Sequence, residues 1–415
     1  MWLYEIEKNA TLAFDYLERQ VNNGSKSGFT SIHNTSMRTN PLYSDGFNIL
    51  KLFPMRTKVE CFGTFDCGDG LISDDNSIFI HPDWQLPQNI KELSELGAVE
   101  KSMWVIPTSS SRTVRFDGSD IYVKLHYPGI IGRLNRVLGF QQLVSGIEIT
   151  AIFEEARINN NLPAYFDFMP EPYGRLLRVG QKEIGFIIRE IPKRIKDCYL
   201  IPGFSLFSND RNEPDNPQIL AQILEHKKYP KEFFFKEICC KLIDVFFWCV
   251  LEEGLIPEMH AQNVVFAFNK KWELEKVVLR DFESIDKDIT IRHALGKNTT
   301  FEEYPYKCIS SDNKDYLKRH SFMYDHKLCE YLLDPLVDSA VVALHINAAE
   351  IHTQLRNYVR KKYGDIISTF FPINGCWYKY PNIEINRTTN DRPFMSMGEY
   401  AGHNGARRPR KWCSQ

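Results

Sequence analysis

Two short, mostly apolar runs, residues 264–268 and 276–279, constrain this chain more than any other stretch. They are rich in Val and Phe, too short for helices, and separated by a polar turn at 269–272. That pattern predicts a buried β-hairpin. Polar residues flank it: Glu258-Met259-His260-Ala261-Gln262-Asn263 leads in, and Arg280-Asp281-Phe282-Glu283 leads out. An antiparallel hairpin brings Asn263 and Asp281 to one end of the sheet. Carboxylates, amides and an imidazole converging there suit a metal-nucleotide site. The carboxylates can take Mg²⁺, while His260, Gln262 and Asn263 can take a phosphate or a reacting carbonyl. The same cluster reads equally well as turn chemistry and a satisfied buried network.

A chain of 415 residues has room for two or three domains and a large core. Charged residues make up 25%, and the formal net charge of −2 argues against a dedicated nucleic-acid binder. Ten cysteines form no Cys-x-x-Cys pair, which fits reduced thiols of a cytoplasmic protein and not a structural zinc site. The first residues lack a basic start followed by an apolar core, so no signal peptide is expected. The most apolar helical stretch, residues 233–251, carries Lys236, Glu237, Lys241 and Asp244, which suits a buried helix and not a membrane span.

Helical spacing predicts a helix over 4–21, then a polar loop over 26–48. The pattern is β-like from 53 to 80 and runs into His81-Pro82-Asp83-Trp84-Gln85, with a short helix expected over 87–96. His81 is a weak site candidate and more simply a capping or packing residue. Further strands are expected at 104–106, 120–125, 165–169 and 183–190. Helices are expected over 130–142 and 144–157. Residues 208–217 read as a linker. Long helices follow over 231–253, 312–333 and 336–362, the last carrying His345 and His352 on one face. The basic stretch 407–412 reads as a solvated tail.

The turn after the strand at 104–106 holds the second candidate cluster. Thr108-Ser109-Ser110-Ser111-Arg112-Thr113 is rich in hydroxyls, and Lys124 ends the next strand. Hydroxyls and backbone amides donate hydrogen bonds, Arg112 grips oxygens with two nitrogens, and Lys124 adds a point charge, so a phosphate would be well held. A solvated Ser-rich loop is the bland alternative. On the helix expected over 130–142, Arg133 and Arg136 share a face, and Arg136 can reach the same anion. Arg189, at the end of an apolar run, reads chiefly as a structural ion pair.

Taken together, these stretches resemble the NIS synthetases, the siderophore synthetases of aerobactin type that act independently of nonribosomal peptide synthetases. The resemblance lies in the order His81-Pro82-(Asp83)-Trp84-Gln85, Pro107-Thr108-x-Ser110-x-Arg112-Thr113-Val114, Val123-Lys124-Leu125, Glu258-x-His260-x-Gln262-Asn263 and Leu279-Arg280-Asp281-Phe282. It covers about residues 78 to 290 well and the helical remainder loosely. It implies an α+β fold of cupped-hand form, with a reduced N-terminal part (1–55), an antiparallel-sheet nucleotide-binding fingers domain (56–215) and a mostly helical palm (216–415). It also implies a cytoplasmic ligase, using ATP and Mg²⁺, that adenylates a di- or tricarboxylic acid and joins it to an amine or alcohol, with a homodimer as the family's common state and neither nucleic acid nor membrane as partner. By position, Ser110, Arg112 and Thr113 match the phosphate loop. Lys124 and Arg136 match basic residues at the nucleotide and the carboxylate. His260, Gln262 and Asn263 match the nucleotide and acyl trio, and Glu258, Asp281 and Glu283 match the acidic positions near Mg²⁺.

Three departures stand out. The family's N-terminal His-Pro-x-His-x-x-x-Lys-x-Arg motif is not found in residues 1–77, Asp83 is inserted in the His-Pro-Trp-Gln element, and Ile131-Gly132-Arg133 stands where Thr-Ser is common. Two other readings stay open. One is a non-catalytic partner subunit of the same fold. The other is a kinase-like phosphotransferase, against which Gln262 stands where a kinase places its catalytic Asp.

Overall fold

The computed structural model describes residues 1–23, 36–65, 72, 75–131, 134–298, 301, 305–371, 377–379 and 394–396. In chain order the strands that matter here are β1 (Phe47–Pro54), β2 (Glu60–Gly63), β3 (Ile78–Ile80), β4 (Gly97–Pro107), β5 (Thr113–Phe116), β6 (Ile121–Leu125), β7 (Ile130–Ile131), β8 (Leu134–Asn135), β9 (Phe166–Phe168), β10 (Tyr173–Val179), β11 (Lys182–Glu190), β12 (Tyr199–Pro202), β13 (Leu255–Ile256), β14 (Val264–Phe268) and β15 (Leu274–Leu279). Eight of them form one antiparallel sheet in the order β2-β10-β11-β6-β5-β4-β1-β3. Four form a second sheet, β12-β14-β15-β9, antiparallel except for the β15–β9 pair.

The second sheet contains the hairpin that the sequence pattern predicts. Val264 pairs with Leu279 and Val265 with Val278. Side chains alternate along each strand, and here both faces are covered. Val264, Phe266, Phe268, Val277 and Leu279 join the large core made with the helices. Val265, Ala267 and Val278 join a smaller core with Phe14, Tyr122 and Leu200, which separates this sheet from the first. Burial on both faces explains why residues 264–268 and 277–279 each read as an apolar run.

Helix Phe140–Ile158 lies between β8 and β9, and beyond residue 218 the chain is mostly helical. A helix starting at Pro230 continues through a π-type stretch, Phe234–Cys240, to Glu253. A second π-type stretch, Phe322–Leu333, leads into Asp334–Leu344. Among the described residues, no helix is long and apolar enough to cross a membrane.

Several expectations are corrected. Of the described residues in 130–142, only the last three are helical. β7 and β8 pair as a short ladder, Tyr127 N–H donates to Arg136 O at 3.1 Å, and the helix begins only after Gly139. Gly132 and Arg133 lie outside the described residues, as does the basic stretch 407–412. The N-terminal helix breaks at Asn9, whose side chain caps the second half (Ala10–Gln20) by accepting from Leu12 N–H at 3.1 Å. The loop expected up to 48 ends earlier, since β1 starts at Phe47. The last long helix breaks at His345, which is left-handed at φ 51°, so His345 and His352 do not share one helix face.

Gly254 ends the helix that leads into the candidate site. It is left-handed at φ 61°, and a Cβ there would meet Arg292 Cγ at 2.5 Å and Arg292 N at 3.1 Å. Gly254→Ala is expected to destabilise the protein by about 1–2 kcal/mol from backbone strain alone, read as a lowered Tm. An unchanged melting curve would mean that this turn is not held as described.

Candidate active site

The site lies where the two sheets face one another. The hairpin register sets Asn263 and Arg280 side by side, and Arg280 N–H donates to Asn263 O at 3.0 Å. The next residue, Asp281, is left-handed at φ 74° and ψ 65°. Such a backbone is strained for a residue with a Cβ. It turns the chain so that Phe282 packs against Phe153 and Phe168, while Phe282 N–H donates to Glu171 Oε2 at 3.2 Å. The Asp281 carboxylate meets Lys124, from the end of β6, and Arg189 Nη2 at 3.0 Å. Glu283 Oε1 lies 3.1 Å from Lys124 Nζ and accepts from Arg112 Nη2 at 2.8 Å. Arg189 in turn donates to the fully buried Glu171, through Nε at 3.0 Å.

Burial alone would raise the pKa of these carboxylates. Lys124 and Arg189 nonetheless hold Asp281 well below the usual carboxylate range, and Lys124 and Arg112 hold Glu283 below it. Both are therefore ionised at neutral pH. Glu283 Oε2 is buried with no hydrogen-bond donor. A hard cation suits such an oxygen, and Mg²⁺ commonly takes one or two carboxylates with the rest of its shell from phosphate and water. Asp281 and Glu283 share Lys124 and fit that description. Glu258 is bound differently, 2.5 Å from Lys327 Nζ. Burial works against its charge, but Lys327, with His260 and Lys307, pulls its pKa down to about 2. Among the described residues, no group of three or more His, Cys, Asp or Glu is placed to hold a metal.

The hydroxyl-rich turn forms the opposite wall. Thr108 Oγ1 donates to Thr113 O at 2.7 Å, Thr113 N–H donates to Ser110 Oγ at 2.9 Å, and Ser111 is left-handed at φ 61°. Arg112 Nη1 donates to Arg136 O at 3.1 Å. The Arg136 guanidinium is pushed down to about 10, by burial and then by Arg112. His260 is buried and brought down to about 4 by burial, so its ring is neutral at pH 7. Its Nδ1 accepts from Gln262 N–H at 3.2 Å, which leaves the ring proton on Nε2. Asn263 Nδ2 donates to Glu258 O at 3.1 Å, and Gln262 Nε2 donates to Ser109 Oγ at 3.2 Å across the cleft.

The cleft has a volume of about 40 Å³. Ser110, Arg112, Thr113, Lys124, Arg136, Gln262, Asn263 and Asp281 line it, together with Thr108, Ser109, Arg189 and Arg280. Residues more than 130 positions apart thus meet in one place. Of the remaining expected residues, Glu283 joins through Lys124 and Arg112, and His260 through Gln262. His81 does not line the cleft. It is fully buried, and its Nε2 lies 3.3 Å from Ser111 O, beneath the turn. Asp83 accepts from Ser36 Oγ at 2.7 Å and Tyr127 Oη at 2.8 Å, so it anchors the chain after residue 35. Arg189 and Arg280 are cleft cations that the sequence reading underweighted. Both show a charge placed directly at the end of an apolar strand, and Arg280 also stands in the Leu279-Arg280-Asp281-Phe282 motif.

No family model and no curated protein matches the sequence. Solved structures do match. The ATP-bound aerobactin synthetase IucA from a hypervirulent pathotype of Klebsiella pneumoniae superposes over 95% of this chain and 81% of its own, with a TM-score of 0.68 at 13% identity. This chain has the NIS synthetase fold. Aerobactin synthetase IucC from the same source covers 81% of this chain and 67% of its own, with a TM-score of 0.64 at 15% identity. The petrobactin biosynthesis protein AsbB from Bacillus anthracis str. Sterne covers 84% and 68%, with a TM-score of 0.66 at 15% identity. The fold therefore holds at an identity too low for sequence alignment, and the two motif clusters stand on its two sheets.

Burial makes the site sensitive to acid. His81, His126 and His260 are each lowered from about 6.5 to about 4. The unfolded chain takes up these protons first, so stability falls as pH drops from about 6.5 towards 4. Melting curves across that window are expected to shift steadily downwards, and less steeply in a His126→Gln variant. A Tm constant between pH 7 and pH 5 would contradict the neutral, buried state of these rings.

Proposed function

We propose that this chain is an ATP-dependent ligase that activates a carboxylic acid as its adenylate and condenses it with an amine or alcohol, in siderophore or related small-molecule biosynthesis. The observation that carries the reading is the pairing, in one cleft, of a cation-rich, hydroxyl-lined wall with the ionised Asp281, to which Glu283 is joined through their shared Lys124. The fold shared with aerobactin and petrobactin enzymes, one of them ATP-bound, supports it.

In the proposed reaction a carboxylate oxygen of the acid attacks the α-phosphorus of ATP, and the bond to the β-phosphate oxygen breaks to release pyrophosphate. An amine nitrogen or hydroxyl oxygen then attacks the acyl carbon, losing a proton as AMP leaves. The first step brings an anion to an anion, and fixed cations offset that repulsion. Arg112, Lys124 and Arg136 serve this purpose, and Arg189 and Arg280 extend the positive wall. Ser110 and Thr113 of the turn provide hydroxyl donors. His260, neutral with its proton on Nε2, is suited to donate a hydrogen bond to an acyl or phosphate oxygen and not to act as a fixed charge. Gln262 and Asn263 orient the same oxygens. Asp281 and Glu283 are the residues that would hold Mg²⁺, with Glu258 nearby, and the bound ion would screen phosphate charge.

ATP–pyrophosphate exchange across a panel of di- and tricarboxylic acids tests the reading. Exchange is expected with at least one acid, and Lys124→Ala and His260→Ala should each lower it by about 10²–10³-fold, the scale of lost transition-state contacts. Formation of ADP without pyrophosphate would favour a phosphotransferase instead. Absence of nucleotide turnover with any acid in folded protein would favour a non-catalytic subunit.

A further inference from the structure

One buried carboxylate touches both walls of the cleft and belongs to neither motif cluster. Glu18 lies near the end of helix Ala10–Gln20 and is 1% exposed. Its Oε2 accepts from Ser109 N–H at 3.2 Å and from Ser109 Oγ at 2.7 Å, on the hydroxyl-rich turn. Its Oε1 lies 2.6 Å from Arg280 Nη1, an ion-pair contact whose angle departs from that of a hydrogen bond. Arg280 Nε donates to Gln262 O at 2.7 Å, and Gln262 Nε2 returns to Ser109 Oγ at 3.2 Å. Glu18, Ser109, Gln262 and Arg280 thus close a ring of contacts that joins the two walls at the cleft.

We infer that Glu18 is a positioning residue for the proposed nucleotide site. It sets the separation of the two walls by tying Ser109 to Arg280. The inference rests on the proposed function, since it assigns the ring to the phosphate end of that site. A carboxylate with two donors from one wall and a guanidinium from the other is hard to replace. An amide in its place keeps an acceptor for Ser109 but loses the attraction to Arg280, and Arg280 is then free to turn into the cleft or towards solvent. The neighbouring Asp15 provides a comparison. It sits on the same helix and is as buried, but it pairs with Arg115 at 2.9 Å, outside the cleft lining.

The test measures the Kd for ATP with Mg²⁺ by calorimetry, alongside Tm, in the full chain. Glu18→Gln is expected to weaken ATP binding about tenfold, as Arg280 loses the charge it is paired with. Asp15→Asn should lower Tm as well but leave the Kd within about twofold. In the double variant Glu18→Gln/Arg280→Ala, the loss should be less than the product of the single losses, because Glu18 acts through Arg280. Should Glu18→Gln not fold, Arg280→Lys carries the same comparison, keeping the charge while losing the planar reach to Glu18 and Gln262. Equal ATP affinity in wild type and Glu18→Gln, or an equal loss in Asp15→Asn, would overturn the role of Glu18 alone. A wild-type chain that binds no ATP would overturn the proposed function and this inference together.

Discussion

A buried ammonium between two carboxylates decides how the two halves of this protein meet. Lys124 ends a strand of the first sheet, and Asp281 and Glu283 follow a strand of the second. Taking such charges out of water costs several kcal/mol for each ion, and mutual attraction repays it only when the geometry is good. Removing one partner would leave the others buried and uncompensated. The sheets therefore cannot slide or rotate much without exposing or orphaning charge. Arg112 and Arg189 extend the constraint on either side, one to Glu283 and the other to both Asp281 and Glu171. The apolar core between the sheets supplies cohesion, but it is non-directional. The ionic row supplies the register.

The same row explains why a left-handed aspartate is tolerated at the end of the hairpin. Strain at Asp281 is of order 1–2 kcal/mol, small beside the contacts its carboxylate and its neighbour make. Phe282 fills the aromatic cluster with Phe153 and Phe168, and its backbone N–H caps Glu171. A residue in the extended region there would send the phenyl ring and the carboxylate elsewhere. Local backbone strain, core packing and the charge row are thus parts of one arrangement.

Much of this was legible in the sequence. The hairpin announces itself because residues 264–268 and 277–279 are buried and all apolar. The hydroxyl-rich turn before Thr113 and the lysine at the end of the next strand were legible for a related reason: polar residues packed tightly against apolar strands are uncommon. Less legible were features set by partners distant in the chain. Residues 130–142 carry helical spacing, yet Tyr127 and Gly129 pair with Arg136 and draw the segment into a ladder. His345 interrupts a helical pattern that runs through it, because one left-handed residue does not change the spacing of those around it. Glu18 shows no signal at all: on an amphipathic helix it looks like any solvated carboxylate until Ser109 and Arg280 are folded against it.

For the nucleotide site proposed here, the charge row would also govern which ligands can enter. In the free protein Lys124, Arg112 and Arg189 already have carboxylates, so an incoming anion does not meet naked charge; it must displace an internal competitor. A monovalent anion can replace only one such contact, and little is gained by the exchange. A ligand that carries several anionic groups on one frame, and that comes with a cation for the displaced carboxylates, can exchange the whole row at once. The arrangement therefore acts as a threshold on valency. It discriminates by how many charges a ligand brings together, a selectivity built from repulsion and competition as much as from attraction.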